Sequence, residues 1–300
     1  ISNEKHVLLT VAARTYRELK GAQKSKTFHA SVERAANYLV ECRGNKSVTD
    51  YSRADANGFR DTLIDRKLAG SSVARIMGTI RAIVNFTFSE HAISADNPFE
   101  KVQFDRQFGT HVRATIPNLQ IRKVRSLCYE QDDEARWLIG LISDTGLRLA
   151  EAAGLLKSDI KINHEIPHLV VQSHPWRSLK TKSSARLLPL VGTSIWAAQR
   201  ISQQCDHSKF AFPKYNHTPN FTSSNSASAS LNKWLKARTN ETYTMHGFRH
   251  ALRDRLRAVE CPSEIIDQIG GWQTNGVGNS YGQGYSLSVT HKWLSRIEID

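Results

Sequence analysis

The sequence predicts a mainly α-helical protein with a small antiparallel β-sheet, organised as two domains. Three observations carry this. Over residues 1–100, apolar side chains recur at helical spacing in four successive segments. Beyond residue 117, helical segments alternate with two short β-like runs. Between them, residues 101–117 (KVQFDRQFGTHVRATIP) show no clear period and carry basic charge, as a linker lying on a polyanion would. The predicted domains are 1–100, a helical bundle, and 118–300, a mixed domain.

Each element has its own justification. VLLTVAARTYREL (7–19) and FHASVERAANYLVEC (28–42) both place apolar groups on one helical face. Ser52 is a plausible N-cap for SRADANGFRDTLIDRKLA. Ser71 or Ser72 is the expected cap of the long helix that follows, and Pro98 stops it. In the second half, 119–127 and 134–145 read as helices, and DTGLRLAEAAGLLKSDI (144–160) as a turn and a short helix. HLVVQS (168–173) and ARLLPLVG (185–192) read as strands, with HPWRSLKTKSS as a basic hairpin-like loop between them. Pro189 suits an exposed strand end. Residues 193–204 look helical, 218–230 read as a polar loop running into a helix that ends near Lys236, and 245–260 read as a strong helix. SEIIDQIGGW is a short helix, and SVTHKWLSRIEID an amphipathic tail.

Composition narrows the function. With 41 Lys and Arg against 28 Asp and Glu, the net charge is +13. The basic residues run through both halves, as a folded surface for a polyanion requires, nucleic acid first. No apolar run approaches a membrane span, and the start lacks the pattern of a signal peptide. The first residue is Ile, as in a piece of a longer chain. Cys42, Cys128, Cys205 and Cys261 are widely spaced, with no CxxC. They fit core residues of a protein in a reducing cytoplasm rather than a zinc or disulfide framework.

Four groups of residues carry chemistry. His246 and Arg249 form HxxR, an imidazole and a guanidinium on one helical face. His250 pairs with His246 at i,i+4, but Gly247 stands where a zinc helix would carry Glu. Arg148 follows a Gly-containing turn with Glu151 one helical turn on; its planar fork matches a phosphate. Lys180 lies on the basic loop, where it can reach into a groove, with Lys182 as its rival. Tyr281 and Tyr285 sit in IGGWQTNGVGNSYGQGY, after Trp272. Taken singly, each has a plain structural reading: a polar helix face, a surface ion pair, a solvated loop, an aromatic in a turn.

In order along the chain, the stretches TGLRLAE, LKTKSSARLLPL, HGFRH and GGW, with Tyr281 nine residues after Trp272, resemble the catalytic domain of the tyrosine recombinases, the phage integrase family. The helical first half resembles that family's core-binding domain, so the resemblance spans nearly the whole chain. It implies a C-shaped clamp on double-stranded DNA, with 101–117 crossing between the two domains. It also implies a homo-tetramer on paired sites and no need for metal or ATP. Residue by residue, it implies that Arg148 and Arg249 grip the scissile phosphate and that His246 is general base or acid at the phenol. Lys180 would be the general acid for the 5′-oxygen, Glu151 the acidic partner of the first arginine, and Tyr281 the nucleophile. Tyr285 is the second candidate. Trp272 stands where most members carry His and some Trp; an indole donates a hydrogen bond but takes up no proton at neutral pH. Such tails often dock on a neighbouring protomer, and the same is expected here. Arg75, Arg81, Lys101, Arg106 and Lys182 are expected DNA contacts, chosen for charge and position. The implied activity is site-specific integration or excision of a phage or mobile element. Type IB topoisomerase activity and a non-catalytic DNA-binding role are the alternatives.

Overall fold

The computed structural model describes residues 6–110, 115–217, 221–239, 243–273 and 284–298. The chain divides into two compact units, 1–112 and 113–300.

The first unit is built on α1 (Leu9–Leu19), α2 (Lys26–Arg43), α3 (Arg53–Asp65) and α4 (Gly70–Glu90). Ser52 caps α3 as expected: its hydroxyl accepts from Asp55 N–H, and the Asp55 carboxylate accepts from Ser52 N–H, a reciprocal capping box. Neither Ser71 nor Ser72 caps α4. The helix starts one turn earlier, after Ala69, and the Gly70 N–H finds its acceptor in Phe108 O at 2.7 Å. A side chain at Gly70 would collide with the backbone of Asp105 and Arg106, so glycine is what lets this segment close over the start of α4. Val102 and Phe104 pack on the same core as Leu39, Phe59 and Ile80. Residues 101–108 therefore fold against the first unit, because they bring apolar side chains that a free linker would leave in water.

The second unit holds α5 (Asn118–Gln131), α6 (Glu134–Thr145), α7 (Leu149–Ala153), α8 (Thr193–Ser202), α9 (Ser224–Thr239), α10 (Met245–Ala258), α11 (Ser263–Gly270) and α12 (Leu287–Ser295). Its sheet is antiparallel in the order β1 (Ile160–Lys161), β2 (His168–Val171), β3 (Arg186–Pro189). Leu169 pairs with Ile160 on one side and Leu188 on the other. The two-residue β1 was invisible in the sequence, being too short to show alternation. The α9 helix starts at Ser224, inside the stretch expected to be loop. Ala227 and Leu231 on its inner face are buried, and tertiary packing overrides the weak helix propensity of serine.

The α6 helix is the hub of this unit, fully buried from Leu138 to Thr145 and packed against α5, α7, α8 and α10. It ends in an αL cap at Gly146 (φ 59°), which turns the chain into Arg148 and α7. Beneath that turn, buried Asp144 accepts from Arg125, from Arg255 at 2.9 Å and from Thr193 N–H at 2.9 Å. The tail helix α12 packs on β3, and Leu294 and Ile297 are buried in this chain's own core. Those two residues are thus committed within the chain rather than offered to a neighbour. Cys128 and Cys261 are buried, but Cys205 is exposed, contrary to a core role for all four. Among the described residues, no helix is long and apolar enough to cross a membrane.

Candidate active site at the end of α11

The last turn of α11 leaves carbonyl groups without helical partners, and the helix dipole makes that end negative. Three arginines from three different elements take three consecutive carbonyls there. Arg186 Nε on β3 donates to Ile269 O at 2.8 Å. Arg249 Nη2 on α10 donates to Gly270 O at 2.6 Å. Arg148 Nη2, before α7, donates to Gly271 O at 3.1 Å. Arg249 also reaches Gly146 O at 2.8 Å, so it ties the α6 cap to α11.

The GGW motif makes this possible. Gly271 has φ 61° and caps α11 in the left-handed conformation. Gly270 lies under the Trp272 ring, and a Cβ there would sit 1.8 Å from a ring carbon. The indole in turn lies against two guanidiniums one helical turn apart on α10, Arg249 at 4.2 Å and Arg253 at 4.8 Å from the ring centroid.

Glu151 is the only carboxylate among the charged partners of Arg148 and Arg186 that the described residues provide. It is 3% exposed, so its charge depends on those partners. One oxygen accepts Arg148 Nη1 at 2.5 Å; the other accepts the Arg148 backbone N–H at 3.2 Å and Arg186 Nη2 at 3.4 Å. Burial pushes the Glu151 carboxyl up, but Arg186 and then Arg148 outweigh it and hold it below the ordinary range. Three guanidiniums around one carboxylate leave the site net positive. Burial, then the charges of Arg148 and Arg186, push Arg249 down to about 9. An arriving anion relieves that crowding, and the arginine forks match a phosphate in shape.

The hairpin loop joins the site through its base. Arg148 Nη1 also donates to Ser184 Oγ at 2.9 Å, and Ser184 Oγ lies 2.9 Å from Thr181 Oγ1. Lys180, exposed, is the next residue back. Arg177 is buried at the start of the same loop against Gly154, with Nη2 on Gln172 O at 2.8 Å. His246 is exposed on the first turn of α10, its ring 4.8 Å from that of His250 in an edge-to-face arrangement.

The structure thus pairs Arg148 with Glu151 and Arg249 with Trp272 and joins the two pairs through the neighbouring carbonyls of Gly271 and Gly270; Lys180, exposed, precedes the Thr181 that reaches Ser184. Tyr281 lies outside the described residues, as does the side chain of Lys182. Tyr285 is described. Its hydroxyl donates to Glu264 at 2.9 Å, and that bond to a carboxylate raises the phenol above its ordinary value. Its backbone N–H and C=O are both clasped by the Gln268 side chain at 2.7 Å. In the first unit, Arg81, Lys101 and Arg106 line one cleft of about 420 Å³ on α4, with Glu100 beside Arg81. Arg75 is exposed on the same helix but does not line the cleft.

Sequence reading missed Arg186 and Ser184. The signal for Arg186 was strand alternation: in RLLP it shares the inward face with Leu188, which marks a buried charge with a partner.

A helical protein with three arginines gathered on a Gly-Gly-Trp cap is the class these features define. Residues 117–285 match the model of the phage integrase family, and the chain belongs to that family. It is 24% identical over 185 residues to the tyrosine recombinase XerC of Roseiflexus sp. (strain RS-1), covering 60% of this chain and 55% of that protein. It is 25% identical over 131 residues to XerC of Pediococcus pentosaceus, covering 41% of this chain and 42% of the relative. The matches thus span about half the length of these curated relatives. Among solved structures, a Tn1549 transposon integrase in complex with a circular intermediate DNA superimposes with a TM-score of 0.71 at 17% identity, over 97% of this chain and all of that one. A lambda integrase dimer bound to a core site gives a TM-score of 0.68 at 10% identity, over 94% and 80% of the two chains. At these identities the likeness is one of fold.

Proposed function

We propose that this protein is a site-specific DNA recombinase that cleaves and rejoins strands through a 3′-phosphotyrosine. The observation that carries the reading is the set of arginines on Ile269, Gly270 and Gly271, with Glu151 holding Arg148. This is a preorganised positive site of the kind that stabilises the extra charge of a five-coordinate phosphorus. Family membership and the DNA-bound integrases of the same fold support it.

In this reading, the Tyr281 phenol attacks the scissile phosphorus and the bond to the 5′-oxygen breaks. The phenolic proton passes to His246, and Lys180 supplies a proton to the departing oxygen. Arg148 and Arg249 bind the non-bridging oxygens. Trp272 donates its N–H and packs, with no proton to exchange. The reverse reaction, by a 5′-hydroxyl of another strand, reseals the DNA with no net loss of phosphodiester bonds. Arg75, Arg81, Lys101, Arg106 and Lys182 are assigned to phosphates of double-stranded DNA. Assembly is assigned to a homo-tetramer on paired sites, and the reaction to integration or excision of a mobile element; a lambda integrase tetramer of the same fold is bound to a Holliday junction.

The test is covalent trapping on a nicked suicide substrate carrying the ends of the element that encodes the protein. A denaturation-resistant adduct that Tyr281→Phe abolishes and Tyr285→Phe spares is the expected result. Loss with Tyr285→Phe alone moves the nucleophile. Tight DNA binding with no adduct replaces the recombinase reading with a binding role.

A further inference from the structure

Arg186 enters the site from β3, while Arg148 and Arg249 come from helical elements. Its three donor groups are all engaged: Nε on Ile269 O at 2.8 Å, Nη1 on Ser184 O at 2.7 Å and Nη2 on Glu151 at 3.4 Å. Each acceptor is one step from Arg148. Ile269 O is two residues before the Gly271 carbonyl that Arg148 holds. Ser184 accepts Arg148 on its hydroxyl and Arg186 on its carbonyl. Glu151 accepts both arginines.

Burying a guanidinium is costly, and an apolar residue of similar size would fill the gap between β3 and α11 with less penalty. The charge at this position therefore needs another account. The surroundings are shaped for it: a Cβ on Gly271 would lie 2.7 Å from Arg186 Nη1. Without Arg186, Glu151 would be left with Arg148 alone as a bonded cation, and the α11 cap would lose its tie to the sheet.

We propose that Arg186 is a positioning residue for strand cleavage: it locks Glu151, and through it Arg148, against the α11 carbonyls, and so sets the spacing of the two phosphate-gripping arginines. This rests on the recombinase reading above. Arg186 touches no reacting atom in it. Arginine serves here better than lysine because one ammonium cannot aim its donors in the planes these three acceptors occupy.

Glu151 is faced by Arg148 from the turn before α7, by Arg186 from β3, by Arg249 from α10 and by Arg177 from the hairpin. Of these, Arg186 contributes most to keeping it ionised. Its loss therefore moves the Glu151 carboxyl toward higher pH as well as loosening Arg148.

The experiment measures single-turnover adduct formation at saturating suicide substrate, DNA affinity, and the pH–rate profile for wild type, Arg186→Gln, Arg186→Lys, Glu151→Gln and the double variant. Arg186→Gln should slow cleavage by about 10²-fold, the size expected for a small misplacement of a reacting group, with affinity held within about threefold. The acid limb of its profile should move to higher pH. In the Glu151→Gln background, Arg186→Gln should add less than about threefold, because coupled residues do not add. Arg186→Lys keeps the charge and guards against a variant that does not fold; it should recover part of the rate. Equal slowing in both backgrounds, or affinity falling in step with rate, would reduce Arg186 to a packing residue and overturn the proposal. Wild-type cleavage with an unimpaired Arg186→Gln overturns the proposal alone. Absence of a wild-type adduct overturns the recombinase reading and this inference with it.

Discussion

Glu151 takes hold of Arg148 at two points, accepting its backbone N–H at 3.2 Å and its guanidinium Nη1 at 2.5 Å. One carboxylate thus starts the α7 helix and aims the side chain that precedes it. Replacing it with Gln keeps the shape but removes the charge that compensates Arg148 and Arg186. The expected result for Glu151→Gln is slower adduct formation, by about 10²-fold at saturating DNA. The folded-state carboxyl is held below the ordinary range, so it contributes stability above the unfolded value of about 4.3. That contribution is lost as pH falls through the lower folded value. Melting temperature against pH should therefore fall less steeply on the acid side for Glu151→Gln than for wild type.

Arg148, Arg186 and Arg249 repel one another beside Glu151, and an oxyanion bound between Arg148 and Arg249 would lower that cost. Sulfate or phosphate should raise the melting temperature above that in chloride at equal ionic strength. Arg249→Ala should remove the difference. A gain of about 1–2 kcal/mol corresponds to anion present at roughly ten times its dissociation constant. An equal response of the variant would place the anion elsewhere.

Asp144 lies under the turn that delivers Arg148, with Arg125 and Arg255 both bonded to it and Arg255 also holding Ile297 O at 2.6 Å. Asp144→Asn leaves two buried guanidiniums short of their counter-charge. The cost should be about 3–5 kcal/mol in denaturant unfolding of the second unit. A loss under about 1 kcal/mol would mean that water or a rearranged partner satisfies both arginines.

Much of this was legible beforehand. The α6 helix was legible over 134–145, the limits it has, which Asp133 as N-cap and Gly146 as αL C-cap set in the structure. Arg148, Glu151, Arg249 and Trp272 were legible from the order of TGLRLAE, HGFRH and GGW along the chain rather than from any one spacing. Arg186 was not, because its meaning lies in acceptors 35 and 83 residues away. The same holds for Asp144, whose partners come from α5, α8 and α10. Short strands and serine-rich helix starts failed for another reason: β1 and the start of α9 are specified by what packs on them, not by local pattern.

Gln268 links α11 to the tail. Trp272 follows directly on the α11 cap, and Tyr285 is held on the same helix by the Gln268 amide, which clasps both its backbone groups at 2.7 Å. Under the proposed function, with Tyr281 as nucleophile, anchoring Tyr285 to α11 should favour cleavage by lowering the entropy lost in reaching the phosphate. Gln268→Ala removes both bonds while leaving every residue assigned to the phosphate in place. It should slow adduct formation by about tenfold at saturating DNA, each lost bond being worth about 0.5–1.5 kcal/mol. Affinity and melting temperature should change little, since the bonds are exposed. Tyr285→Phe, which loses only the bond to Glu264, should have a smaller effect still. An affinity loss equal to the rate loss would show instead that the clasp shapes the DNA surface rather than the approach of the phenol.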